Sequence, residues 1–114
     1  MNENYTKGVQ KILKYAKHEA ISFGQTYVGS EHLLLGILKD KNGTASSTLM
    51  ILGCDLDKIY DRVKSLINSS ESPSNISHLP LTRRAERILK NAYEESKLNN
   101  EEIANQNHLL LSII

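Results

Sequence analysis

Two stretches of this chain, SEHLLLGIL at 30–38 and QNHLLLSII at 106–114, superimpose with an offset of 76 residues. The register runs back without a gap until Thr6 lies over Thr82. Between 9–38 and 85–114 the identical pairs are Ile12/Ile88, Leu13/Leu89, Lys14/Lys90, Ala16/Ala92, Glu19/Glu95, His32/His108, the leucine triplets 33–35/109–111 and Ile37/Ile113. The chain is therefore a tandem repeat, and a repeat of this kind stacks copies of one supersecondary unit over a shared core.

The apolar spacing makes that unit helical. Val9, Ile12, Leu13, Ala16, Ala20 and Phe23 recur at helical intervals after Thr6, with Lys and Glu between them, which predicts an amphipathic helix of about 17 residues. Thr6 is its expected N-cap and Gly24 its left-handed end. Ser30 is the expected cap of a second helix, buried because three successive leucines leave little room for a polar face. DKNG at 40–43 reads as a turn, followed by a short helix from Thr44 or Ala45 to Leu52 and a fourth capped by Asp55, with Leu56, Ile59, Tyr60, Val63, Leu66 and Ile67 as its apolar stripe. Residues 1–67 thus form a four-helix repeat, 68–80 read as a Ser-, Asn- and Pro-rich linker, and 81–114 hold the first two helices of a second repeat, which restarts at Leu81 and Thr82 and whose second helix opens at Asn105 or Gln106. The fold class is all-α, two pseudo-symmetric helical repeats forming one domain. By the offset, counterparts of 39–67 would fall at 115–143, so the expectation is truncation relative to a natural chain or, as the less favoured alternative, a missing half supplied from elsewhere. An apolar LLLSII helix otherwise ends the domain uncovered.

Composition excludes several functions. With 114 residues, 39% apolar, 24% charged and a formal net charge of +1, the chain fits one ordinary globular domain and lacks the basic excess of a phosphate-backbone binder. No run reaches the ~18–20 apolar residues of a membrane span, and MNENYTKG has no signal-peptide core. The expectation is a cytoplasmic protein that meets neither nucleic acid nor membrane, with Cys54 a small buried thiol rather than a reactive one. His18, His32, His78, His108 and Cys54 do not stand at metal-ligand spacing, so no metal site is expected. No GxxxxGK[ST] loop is present, and Ser30 with His32, two apart at a helix start, diverge too far for a nucleophile pair. His32 and His108 read as structural, through packing or hydrogen bonding.

One polar constellation repeats. Lys7, Lys11 and Lys14 share a helix face, and Arg83, Arg87 and Lys90 match them. This reads either as a solvated face or as a cationic rim beside a helix N-terminus, which attracts anions through its unpaired N–H groups.

The amphipathic helix, YVGSEHLLLGIL, and the glycine-bounded short helix ending in LGCD closely resemble the Clp N-terminal repeat, above all the double-repeat domain of ClpC-type AAA+ unfoldases. LPLTRRAERILKNAYEES is similar to that family's second-repeat opening, whereas NEEIANQNHLLLS departs from its GH-x-YIGTEHLLL pattern. The resemblance implies an eight-helix docking module that captures adaptor proteins and unfolded or tagged substrates for an ATP-dependent unfoldase and its Clp peptidase. It implies no catalysis and no cofactor in this segment, ATP and Mg belonging to ATPase modules elsewhere. A free-standing double-repeat adaptor without an ATPase is the alternative.

Some members of the family bind phosphoarginine at two repeat-related sites, implying Thr6 with Glu31 and Thr82 with Asn107 as ligand residues, rimmed by Lys7, Lys11, Arg83 and Arg87. Glu31 supplies a charge-assisted acceptor for a guanidinium, whereas Asn107 is a neutral amide, so the second site is expected to be the weaker.

Overall fold

In a computed structural model, residues 4–67, 79–101 and 103–114 are described. Among them lie six helices and no strand: α1 (Lys7–Ser22), α2 (Ser30–Lys39), α3 (Thr44–Ile51), α4 (Leu56–Leu66), α5 (Arg83–Leu98) and α6 (Gln106–Ile113). The starts of α5 and α6 follow those of α1 and α2 by the offset of the sequence repeat. Thr6 Oγ1 accepts from Val9 N and Thr82 Oγ1 from Ala85 N, so both long helices are capped in the same way. Gly24 and Gly53 take positive φ, 69° and 89°, where a side chain is strained.

The second helix starts one residue earlier than expected, at Ser30 itself. Gly29, not Ser30, is the N-cap of α2, and Asn105 is the cap of α6. At both starts a histidine reaches back: His32 Nδ1 accepts from Gly29 N (2.8 Å) and His108 Nδ1 from Asn105 N (3.0 Å). A Glu or Gln usually makes this return bond, and here the imidazole does it. Asn105 completes the exchange by accepting from Asn107 N and His108 N, which glycine has no side chain to do.

The two repeats are joined by an exchange of main chain. Thr6 N donates to Ala104 O and Ala104 N to Asn4 O, each at 2.8 Å, while Val28 N donates to Pro80 O and Thr82 N to Val28 O, each at 2.9 Å. The two bridges, Tyr5–Ala104 and Val28–Leu81, are images of each other under the repeat offset. Within the predicted linker, Leu79 is buried and Pro80 takes part in this exchange; 68–78 lie outside the described residues.

The core runs across both copies, with Val9, Ile12, Ile37 and Leu38 packed in one cluster with Leu89, Ala92, Leu109 and Leu110. Leu33 and Leu35 are fully buried, but Leu111, the counterpart of Leu35, is 57% exposed. Each triplet thus buries two of its leucines; the third is half-buried in α2 (Leu34), where α4 packs, and exposed in α6 (Leu111), where among the described residues no helix packs in the same way. α4 itself is lightly docked, burying Leu56 and leaving Leu66 exposed. The Tyr60 hydroxyl ties it to α1 by donating to the buried Glu19 carboxylate. Burial first, and then that bond, pushes the Tyr60 phenol up to about 12.

Candidate ligand cleft between the repeats

Thr6 and Glu31 stand at opposite ends of the α1–α2 hairpin. Lys11 Nζ near the start of α1 lies 3.5 Å from Asp40 Oδ1, just past the end of α2. The start of α2 faces the far end of α1, where Glu19 acts on the His32 ring. At 1.5 Å per residue, Glu31 and Asp40 are roughly 14 Å apart along the helix. The second hairpin runs likewise, with Ser112 Oγ near the end of α6 donating to Ile88 O in α5 at 2.7 Å. The pairs implied by the resemblance, Thr6 with Glu31 and Thr82 with Asn107, are therefore not brought together within one repeat.

The main-chain exchange pairs them across repeats instead. Thr82 is bonded to Val28, three residues before Glu31, and Thr6 to Ala104, three residues before Asn107. At the Thr82 end there is a cleft of about 520 Å³ with Ser30, Glu31 and Leu34 on one wall and Arg84, Arg87 and Asn91 on the other. A carboxylate and two guanidinium groups thus face one space. Arg87 was expected in the rim; Arg84 was not, since its repeat counterpart is Gly8 and carries no signal. Arg83 lines a separate shallow surface with Lys90 and Glu94, and Lys7 is exposed on α1.

The equivalent end near Thr6 is filled. Gln106, the counterpart of Ser30, is buried; its Nε2 donates to Gly8 O (3.1 Å) and Asp40 Oδ2 (2.8 Å), and its Oε1 accepts from Ala45 N (3.1 Å). A Cβ on Gly8 would stand 3.0 Å from Gln106 Nε2, so the glycine lets the glutamine lie close against α1. Asn107 Oδ1 is occupied by the Thr48 hydroxyl at 2.9 Å, and Lys11, the counterpart of Arg87, is drawn to Asp40. Gly8 with Gln106 closes one end, and Arg84 with Ser30 leaves the other open.

Electrostatics at the open end are set by His32. Burial lowers its pKa, opposed by the nearby Glu31 and Glu19 carboxylates. Glu31 Oε1 lies 3.5 Å from His32 Nδ1, but that nitrogen accepts the Gly29 N–H, so the ring is neutral and the contact is not an ion pair. The Glu31 side chain lines the cleft without an imidazolium partner. Among the described residues no cluster of His, Cys, Asp and Glu is arranged to hold a metal ion, and no helix is long and apolar enough to cross a membrane.

Comparison with known proteins gives a consistent result. The family model described as Clp repeat (R) N-terminal domain matches residues 4–114. The chain is 32% identical over 110 residues to the negative regulator of genetic competence ClpC/MecB of Bacillus subtilis, covering 96% of this chain and 13% of that protein. It is 30% identical over 110 residues to the chaperone protein ClpB of Oceanobacillus iheyensis, with the same coverage. The chain thus spans about an eighth of these relatives. Among solved structures, the N-terminal domain of the chaperone ClpD from Arabidopsis thaliana superimposes with a TM-score of 0.76 at 24% identity, covering 99% of this chain and 78% of that one. The Hsp104 N-terminal domain from Candida albicans does so at 0.80 with 14% identity, covering 96% and 73%.

Proposed function

Because this chain belongs to the Clp repeat N-terminal domain family, we propose that it is the substrate- and adaptor-binding module of a ClpC-like ATP-dependent unfoldase, and that it takes phosphoarginine in the α2–α5 cleft. The observation that carries this reading is the placement of Glu31 opposite Arg84 and Arg87. Phosphoarginine holds a planar guanidinium and an anionic phosphate on neighbouring atoms. The guanidinium N–H groups donate to the Glu31 carboxylate, and the phosphate oxygens accept from Arg84 and Arg87, so each charge meets its complement. On this reading the segment performs no catalysis, and nucleotide and magnesium act in ATPase modules of a parent chain.

Calorimetric titration of the chain with a phosphoarginine peptide tests this directly. One site per chain is expected, near Glu31, with Asn107→Ala leaving affinity unchanged. Glu31→Ala removes a charge-assisted pair of ~1.5–3 kcal/mol, a loss of about 10- to 100-fold in affinity. Arg84→Ala with Arg87→Ala is expected to do the same and to flatten the salt dependence. Affinity unmoved by Glu31→Ala would remove phosphoarginine from this cleft.

A further inference from the structure

A second pocket, of about 430 Å³, opens on the other side of Glu31, between the loop before α2 and the lightly docked α4. Tyr27, Glu31, His32, Val63, Leu66 and Ile67 line it. The unusual member is His32. Its Nδ1 accepts the Gly29 N–H, so the proton of the neutral ring sits on Nε2, and that buried atom has no hydrogen-bond partner. Buried donors are nearly always paired, and the repeat supplies the pairing that is missing. His108 Nε2 donates to Glu101 Oε2 at 2.7 Å, and the position equivalent to Glu101 is Gln25, which lines the pocket without bonding His32 Nε2. The first repeat therefore holds a donor ready for an acceptor from outside the chain.

We infer that this pocket is a peptide-binding subsite, in which a main-chain carbonyl accepts from His32 Nε2–H, a neighbouring N–H donates to Glu31, and an aliphatic side chain packs on Val63, Leu66 and Ile67. The acceptor from a peptide is its main-chain carbonyl, which meets the donor without the repulsion that a diffusing anion meets at Glu31, whereas a carboxylate held on the chain at position 25 is tethered next to the ring as Glu101 is next to His108. Of the apolar wall, Leu66 is 67% exposed, and Val63 and Ile67 are half-buried. Tyr27, 39% exposed and packed edge-on against His32 with ring centroids 5.9 Å apart, is the side chain that turns aside to admit the carbonyl. This subsite rests on the reading of the chain as a binding module and adds to it an apolar contact point independent of phosphate.

The probe is acetyl-Ala-Leu-Ala-amide, titrated into the isotope-labelled chain while the imidazole nitrogens are followed by NMR. The His32 Nε2 resonance is expected to move with saturation, and the same peptide with aspartate in place of leucine is expected not to bind. Leu66→Ser, at an exposed position, and Gln25→Glu, which copies the Glu101–His108 pair, should each weaken binding by about tenfold or more. Leu66 does not line the α2–α5 cleft, so phosphoarginine binding should survive Leu66→Ser, and the two sites fail separately. A stationary Nε2 resonance, equal binding of the aspartate peptide, or full affinity in both variants would overturn the inference.

Discussion

At the scale of single residues, the two histidines show how one side chain serves a cap and then differs in what its other nitrogen meets. His32 is 1% exposed, and burial lowers its pKa while its carboxylate neighbours partly restore it. In the unfolded chain the ring titrates near 6.5. Between that value and the lower folded one, the unfolded state binds the extra proton, so stability is full above about pH 6.5 and falls as the pH drops through the window. The melting temperature is therefore expected to fall between pH 7 and pH 5. His32→Gln, which keeps an acceptor for the Gly29 N–H, should lower the melting temperature at pH 7 yet flatten this slope. Calorimetric scans across the window check it, and an unchanged slope in the variant would remove His32 as its source.

At the scale of helices, the same crossing is solved in two ways. Gly36 of α2 lies so close to α1 that an added Cβ would stand 2.6 Å from Ile12 O and 3.2 Å from Ala16 N, both backbone atoms that cannot step aside. Its counterpart Ser112 meets the counterpart of Ile12 with a hydrogen bond to Ile88 O, so the second hairpin is held where a side chain fits. Gly36→Ala should cost about 1–3 kcal/mol by overpacking, read as a shift in urea midpoint, and a neutral result would show that α2 can move away from α1. Much at this scale was legible beforehand. Thr6, Asp55 and Thr82 marked helix starts because a short polar side chain before an apolar stripe answers unpaired N–H groups. Ser30 misled for the same reason: it is a better cap on propensity than Gly29, but the His32 return bond fixes the start one residue earlier. A Cβ on Gly29 would also sit 1.9 Å from Glu31 Oε1, in the space the carboxylate occupies as it folds back over the cap. Arg84 stayed hidden because the repeat comparison directs attention to matched positions, and its partner is a glycine that lets Gln106 lie close against α1.

At the scale of the whole molecule, the alignment established that two copies exist but not how they face each other. Nothing in a one-dimensional repeat distinguishes packing within a copy from exchange between copies, and the chain takes the exchange: each copy's first segment bonds to the other's second. The Tyr5 hydroxyl adds to this by donating to Leu89 O at 2.9 Å across the boundary. The cleft owes its composition to the same exchange, since Glu31 comes from one copy and Arg84 from the other. A consequence is that the first repeat is incomplete alone, although it has four helices. Cut away from residues 79–114, it loses both main-chain partners of Val28, the partner of Thr6, and the Leu89, Leu109 and Leu110 side of the core. A domain of that size is marginal even with its core intact. The fragment 1–67 is therefore expected to show weak helical circular dichroism and no cooperative thermal transition. Mixing it with a separate 79–114 peptide should restore both, because the main-chain bonds and core contacts that join 4–67 to 79–114 are non-covalent. A fragment that melts cooperatively near the temperature of the whole chain would mean that the exchange positions the cleft without holding up the fold.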